Sequence, residues 1–233
     1  METLETFKNA PKKHATVQNS NCCSDCTNKT DSTKLHCTKS HTHEELTKTE
    51  RDINNLEQHG WQLDSLADYI YSEHHQYYCK EEPVLSEMLV NMVDHPETRY
   101  PEIQRLSVLF SNLKNELSAH LLLEECTLFP HIKNMVKAMR DRLPVAYSGI
   151  KCVALPVNVM QGEHERIEQI LIEISMVTNG YTLTENASEN FIRLYKKLKA
   201  LHKNLHRHIY FENHILYPKA ILLEAELKKL GFI

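Results

Sequence analysis

Two short stretches of this 233-residue chain place a histidine and a glutamate four residues apart. One reads His120-Leu-Leu-Leu-Glu124-Glu-Cys-Thr-Leu128-Phe129-Pro130. The other reads His208-Ile-Tyr-Phe-Glu212-Asn-His-Ile-Leu216-Tyr217-Pro218. In both, leucine, an aromatic residue and proline follow at the same offsets. Residues i and i+4 of an α-helix stack on one face, so each pair points one way. The surrounding stripe is apolar: Leu113, Leu117, Leu121 and Leu128 in one stretch, Leu201, Leu205, Ile209 and Leu216 in the other. Two imidazole–carboxylate pairs would then face each other across a dry interior. A buried carboxylate without a partner costs on the order of several kcal/mol or takes up a proton. Two of them together are worse off unless a cation lies between them, so the pattern predicts a metal site.

The elements that must hold these pairs are helices. Gly occurs 5 times and Pro 8 times, too seldom for a turn-rich sheet fold. From Leu63, apolar residues recur at three- and four-residue steps through Leu66, Ile70, Tyr77, Leu85, Met88 and Met92, predicting a helix that ends near Asp94-His95-Pro96. Pro101 suits the opening turn of a second helix running through Leu106, Leu109, Leu113, Leu117 and Leu121 to Arg142, with a kink or break expected at Pro130. The stretch LPVAYSGIKCVALP reads as a connection. A third helix is expected from about Val157 to Val177 and stops at Asn179-Gly180. A fourth follows the capping residues after Thr184 and runs to Leu230-Gly231, with a second kink expected at Pro218. The fold class is therefore all-α, an up-down-up-down four-helix bundle over residues 61–233, built like two related hairpins. Residues 1–60 are rich in Lys, Thr, Asn, Ser and His and poor in large apolar residues. They read as a polar, Cys/His-rich flexible segment, with a short helix conceivable at 43–59.

The first and third helices must complete the ligand set. The third offers Glu163-His164 ahead of its apolar stripe, and the first offers Ser72-Glu73-His74-His75, with the choice between His74 and His75 open at this point. One imidazole from each gives four imidazoles and two carboxylates. That is too many for one zinc, which usually takes four ligands. It suits two metals sharing two bridging glutamates, and mixed N and O donors with open positions favour iron, with manganese as the alternative. The order His then Glu is the reverse of the Glu-x-x-His of ferritin-type bundles and points to the hemerythrin kind.

Residues from about 63 to 220 resemble the hemerythrin-like domain of the repair-of-iron-centres family, di-iron proteins that restore iron–sulfur clusters after nitrosative and oxidative stress. The segments that carry the likeness are Asp68-x6-His75-x7-Pro83, His120-x3-Glu124-Glu125 with Leu128-Phe129-Pro130, Glu163-His164-Glu165, and His208-x3-Glu212-Asn213 with Leu216-Tyr217-Pro218. The resemblance implies two non-haem, carboxylate-bridged iron ions held by His75, His120, Glu124, His164, His208 and Glu212, both glutamates bridging. It selects His75 over His74. It also implies cluster repair as the function, by iron delivery or nitric oxide chemistry, with iron–sulfur proteins as acceptors and nitric oxide or oxygen as a ligand. An iron, oxygen or nitric oxide sensor is the alternative, and a nitric oxide reductase a weaker one, so enzymatic turnover stays open. Two features depart from the family. Cys22-Cys23 lacks the glycines that follow such a pair, and Tyr78 stands where a second histidine is common.

The net charge of −4 gives no footprint for nucleic acid, and no apolar run is long enough to span a bilayer. The opening METLETFKNAPKKH has no apolar run behind its charges, which favours the cytoplasm over secretion. A homodimer stays open. Cys22, Cys23, Cys26 and Cys37, with His36, His41 and His43, have zinc-like spacing or form a flexible thiol-rich stretch. Cys79, Cys126 and Cys152 are expected to be small buried residues. His202, His206, His214, Glu125 and Glu163 are expected outside the ligand set, either orienting a ligand or exposed, and Tyr69, Tyr71, Tyr77 and Tyr78 as packing.

Overall fold

A computed structural model describes residues 62–94, 101–183, 185 and 187–233. The tail, its cysteines and the conceivable helix at 43–59 lie outside them. Four long helices account for most of the described chain, and no strand occurs among the described residues. Helix α1 covers residues 63–94, α2 covers 101–141, α3 is Ala154–Val177 and α4 covers 189–229. The first part of α1 packs on the last part of α2, and the last part of α1 packs on the first part of α2 and of α4. Neighbours therefore run antiparallel, as short connections require.

The helix ends follow local chemistry. Pro101 opens α2, where its missing N–H is no loss. Arg142, left-handed at φ 56°, closes it. Helix α3 begins three residues before the expected Val157, because Pro156 fits its first turn as well as it fits a loop. Beyond Val177, Gly180 turns left-handed at φ 67° and donates its N–H to Ser175 O at 2.7 Å, while Thr178 Oγ1 donates to Ile174 O.

At Pro130 and Pro218 the helices widen instead of breaking. Proline cannot donate, and its ring crowds the carbonyl four residues back. Just before each proline the chain makes one π-helical turn, Glu124–Leu128 in α2 and Glu212–Leu216 in α4. There the Phe129 N–H reaches back to Glu124 O and the Tyr217 N–H to Glu212 O. A third π turn, Tyr71–His75 in α1, has no proline close behind it. All three begin or end on a predicted ligand, and π turns recur at functional sites.

The interior is divided. One apolar cluster gathers Leu85, Leu106, Leu113, Leu117, Leu121, Ile167, Leu198 and Ile209 among others. A second gathers Leu66, Ile70, Leu128, Ile132, Met160, Phe211 and Leu216. Each helix passes from one cluster to the other across a polar position: His75 in α1, His120 and Glu124 in α2, His164 in α3, His208 and Glu212 in α4. The thiols depart from expectation. Cys79 and Cys126 are exposed and Cys152 is half-buried, since they fall off the buried stripes. Among the described residues no helix is long and apolar enough to cross a membrane.

Candidate metal centre

The polar layer is dry. His75, His120, Glu124 and Glu212 are 0% exposed, and His164 and His208 are 1% exposed. Water cannot hydrate these groups, so they must satisfy one another or a bound ion.

They form two groups of four that share both glutamates. His75, Glu124, His208 and Glu212 place one ligand atom each within 4.8 Å of one another, and so do His120, Glu124, His164 and Glu212. Within the first group, His75 Nε2 lies 3.2 Å from His208 Nε2. Within the second, His164 Nε2 lies 3.1 Å from His120 Nε2. Glu212 Oε1 approaches His208 Nε2 at 2.8 Å and Glu212 Oε2 approaches His164 Nε2 at 3.1 Å. Glu124 Oε2 lies 3.4 Å from His75 Nε2 and 3.3 Å from His120 Nε2. Two nitrogens each ~2.1 Å from one ion, at right angles, sit ~3.0 Å apart, so these separations match the edges of a coordination shell.

The outer ring nitrogens fix the tautomers. His75 Nδ1 meets Glu125 Oε1 at 2.9 Å, His120 Nδ1 meets Glu163 Oε2 at 3.0 Å and His164 Nδ1 meets Asn213 Oδ1 at 3.0 Å. Each Nδ1–H donates outward, which turns the Nε2 lone pair inward, as metal-ligating imidazoles do. Among the described residues nothing donates a hydrogen bond to Glu124 Oε2 or Glu212 Oε2. Inward lone pairs and unsatisfied carboxylate oxygens in a dry layer fit a cation, and this region of the bundle is a metal site.

The electrostatics agree. Burial raises the carboxyl of Glu124, but the His120, His75 and His208 imidazoles outweigh it and hold it well below the usual range. Burial and Glu124 raise Glu212, yet His208 and His164 bring it below its ordinary value. Burial lowers His120, but Glu124, Glu212 and Glu163 push it up to about 9. His75 is likewise raised against burial by Glu124, Glu212 and Glu125. Burial, aided by the charge of His75, leaves His208 below its ordinary value. Without an ion, protons on His75 and His120 balance the carboxylates. An ion would displace them.

All six predicted side chains meet in this layer. His74 does not join them. It is buried with Nδ1 3.2 Å from Asn204 Oδ1, and its ring stacks on His208 with centroids 5.7 Å apart and planes 7° apart. Burial and then His208 lower it to about 4, so it stays neutral beside the site. His202 bonds the Tyr181 hydroxyl, and His206 and His214 stand apart from the cluster. Glu125 and Glu163 hold the His75 and His120 rings from partly exposed positions.

Sequence reasoning missed two partners. The sequence marks Asn213 only as part of a motif and Tyr217 only as an aromatic at a repeated offset. The Tyr217 hydroxyl donates to Glu124 Oε1, and its ring stacks on His164 at 6.0 Å and 6°. Burial and the two glutamates hold its pKa well above the ordinary value, so it keeps its proton and remains a donor. The signal available was the contrast of Phe129 and Tyr217 at matching places in the repeat.

Comparison with known proteins agrees with this site. Residues 66–220 match the Hemerythrin HHE cation binding domain, a span that contains all six side chains. Among curated proteins, the iron-sulfur cluster repair protein YtfE of Cronobacter sakazakii (strain ATCC BAA-894) is 29% identical over 164 residues, covering 69% of this chain and 68% of the relative. The protein of the same name from Edwardsiella ictaluri (strain 93-146) is 29% identical over 161 residues, covering 68% and 66%. That of Escherichia coli O81 (strain ED1a) is 28% identical over 161 residues, with the same coverage. The chain thus aligns with about two thirds of the length of these relatives.

Proposed function

Since this chain belongs to the hemerythrin HHE cation-binding family, we propose that it is a two-iron protein that serves the repair of iron–sulfur clusters damaged by nitrosative or oxidative stress. The observation that carries the reading is the pair of four-ligand groups sharing Glu124 and Glu212. One group has the donors for one ion, and the shared carboxylates join two. The name of the curated relatives supplies the repair role.

In this reading His75 and His208 would hold one iron and His120 and His164 the other, and Glu124 and Glu212 would serve both. Bound there, two irons supply labile, redox-active ions with open positions, suited to delivery or to meeting nitric oxide or oxygen. The chain controls how tightly they are held. Glu125 and Glu163 keep His75 and His120 in the donor tautomer, and both reach partly exposed surface. A proton arriving there weakens the orientation of a ligand without opening the bundle. Apolar clusters on both sides exclude bulk water. The acceptors are iron-depleted cluster proteins, and the setting is the cytoplasm, where thiols stay reduced.

Metal content of protein purified without oxygen tests the site. About two irons per chain are expected in the wild type, and loss of both in Glu124→Ala with Glu212→Ala. Unchanged iron in the double variant overturns the assignment. Repair is tested by mixing the loaded protein with an iron-depleted cluster enzyme. Recovery of that enzyme's activity with loss of iron from this chain supports repair, whereas retained iron with altered shape or partner affinity supports a sensor.

A further inference from the structure

The two shared glutamates do not offer their oxygens alike. Glu212 divides its pair: Oε1 lies 2.8 Å from His208 Nε2 and 4.0 Å from His75 Nε2, and Oε2 lies 3.1 Å from His164 Nε2. One oxygen serves each half of the site. Glu124 puts a single oxygen into the middle. Its Oε2 lies 3.4 Å from His75 Nε2, 3.8 Å from His208 Nε2 and 3.3 Å from His120 Nε2, and so faces both halves at once. Its Oε1 is turned away and accepts the Tyr217 hydroxyl.

We propose that Tyr217 is a positioning residue that holds Glu124 as a one-oxygen bridge, while Glu212 bridges through both oxygens. The proposal rests on the two-metal reading above. Tyr217 is fully buried, so its hydroxyl needs a partner inside the protein, and Glu124 supplies it. The ring cannot easily turn elsewhere, because it lies flat on His164 and is packed in the second apolar cluster. The matching place in the other repeat is Phe129, which stacks on His75 at 5.4 Å and 26° and has no hydroxyl. A hydrogen bond to an ionised oxygen draws charge toward the donor, which leaves Oε1 a poor metal ligand and Oε2 the bridging atom. Glu124 therefore keeps one oxygen in reserve. When the phenol lets go, Oε1 becomes available to metal, and the pair is held more tightly.

Tyr217→Phe removes only the hydroxyl and leaves the ring stack. Both proteins are loaded with ferrous iron without oxygen, and three quantities are read: iron per chain, the carboxylate infrared bands with ¹³C-labelled glutamate, and the rate at which a ferrous chelator strips the iron. The variant is expected to keep about two irons, to convert one carboxylate from the widely split bands of a one-oxygen ligand to the narrower bands of a two-oxygen bridge, and to release iron about tenfold more slowly, the factor that one charge-assisted bond supplies. Two irons in both proteins with the same bands and the same release overturns the Tyr217 assignment alone. Fewer than about two irons in the wild type overturns the two-metal reading beneath it. Should the variant not fold, the wild type decides through its ¹³C-tyrosine C–O band. A strongly donating phenol in the loaded protein supports the assignment, and a free phenol or a phenolate bound to iron overturns it.

Discussion

The half of the site around His75 and the half around His164 are supported from matching places in the duplicated segments. The residue after the shared glutamate bonds the imidazole of a neighbouring helix: Glu125 holds His75, and Asn213 holds His164. The aromatic four residues further along stacks on that same imidazole: Phe129 on His75, Tyr217 on His164. The duplicated segments thus brace the two imidazoles that lie outside them. The chemistry of the brace differs. His75 leans on a carboxylate and a plain ring, whereas His164 leans on a neutral amide and a ring whose hydroxyl is tied to Glu124. Duplication fixes where the paired His and Glu go, and single differences at the bracing positions then set the chemistry behind each half.

Emptying one half should give the largest effect. His75→Ala with His208→Ala leaves one group with only its carboxylates, and metal content is expected to fall from about two irons per chain to about one. His120→Ala with His164→Ala should do the same from the other side. Retention of two irons in either variant breaks the division into halves.

Acidity should come next. His120 sits at about 9 in the ion-free site, so below that pH its proton must leave before metal enters. Apparent affinity is therefore expected to rise with pH by about tenfold per unit for each proton displaced, and to level off as pH passes about 9. Calorimetry in buffers of different ionisation heat reads the released protons directly. A pH-independent affinity between 6 and 8 would show that His120 carries no displaceable proton.

The braces should give the smallest effects and the sharpest comparison. Glu125→Gln removes the charge behind His75 and is expected to weaken one iron by about tenfold to a hundredfold. Asn213→Asp adds the same charge behind His164 and should slow release of the other iron by about threefold to tenfold. Equal and opposite changes would mean that carboxylate against amide is the main difference between the halves. No change from Asn213→Asp would shift that weight to Tyr217.

Much of this was legible in the chain. The helices followed from apolar spacing, and α1, α2 and α4 begin and end close to the expected residues. The two His-x3-Glu pairs needed only helix geometry to be placed together. His74 against His75 could not be settled that way, because they are adjacent and a π turn changes which of them faces inward. Proline flagged the other two π turns as kinks, but nothing in YSEHH marked the third. Tyr217 was hidden for a different reason: an aromatic on a buried stripe reads as packing, and its hydroxyl acquires a role only when Glu124 of another helix is placed against it. The exposed Cys79 and Cys126 show the limit of residue-type habits, since helix phase overruled the usual burial of thiols.

The divided interior has a mechanical consequence. Two apolar clusters with a layer of imidazoles and carboxylates between them amount to two short bundles in series, with the polar plane as the seam. Ions in that plane would rivet all four helices at one level. With the rivets in place the bundle would be expected to melt as one body. Without them the seam is held only by buried imidazoles and carboxylates that balance one another through protons, a weaker tie than a shared ion, and the two ends would be free to fail at different temperatures. On the two-iron proposal, iron content would thereby be written into the cooperativity of the bundle, and a chain that had given up its iron would differ in stiffness from one still carrying it.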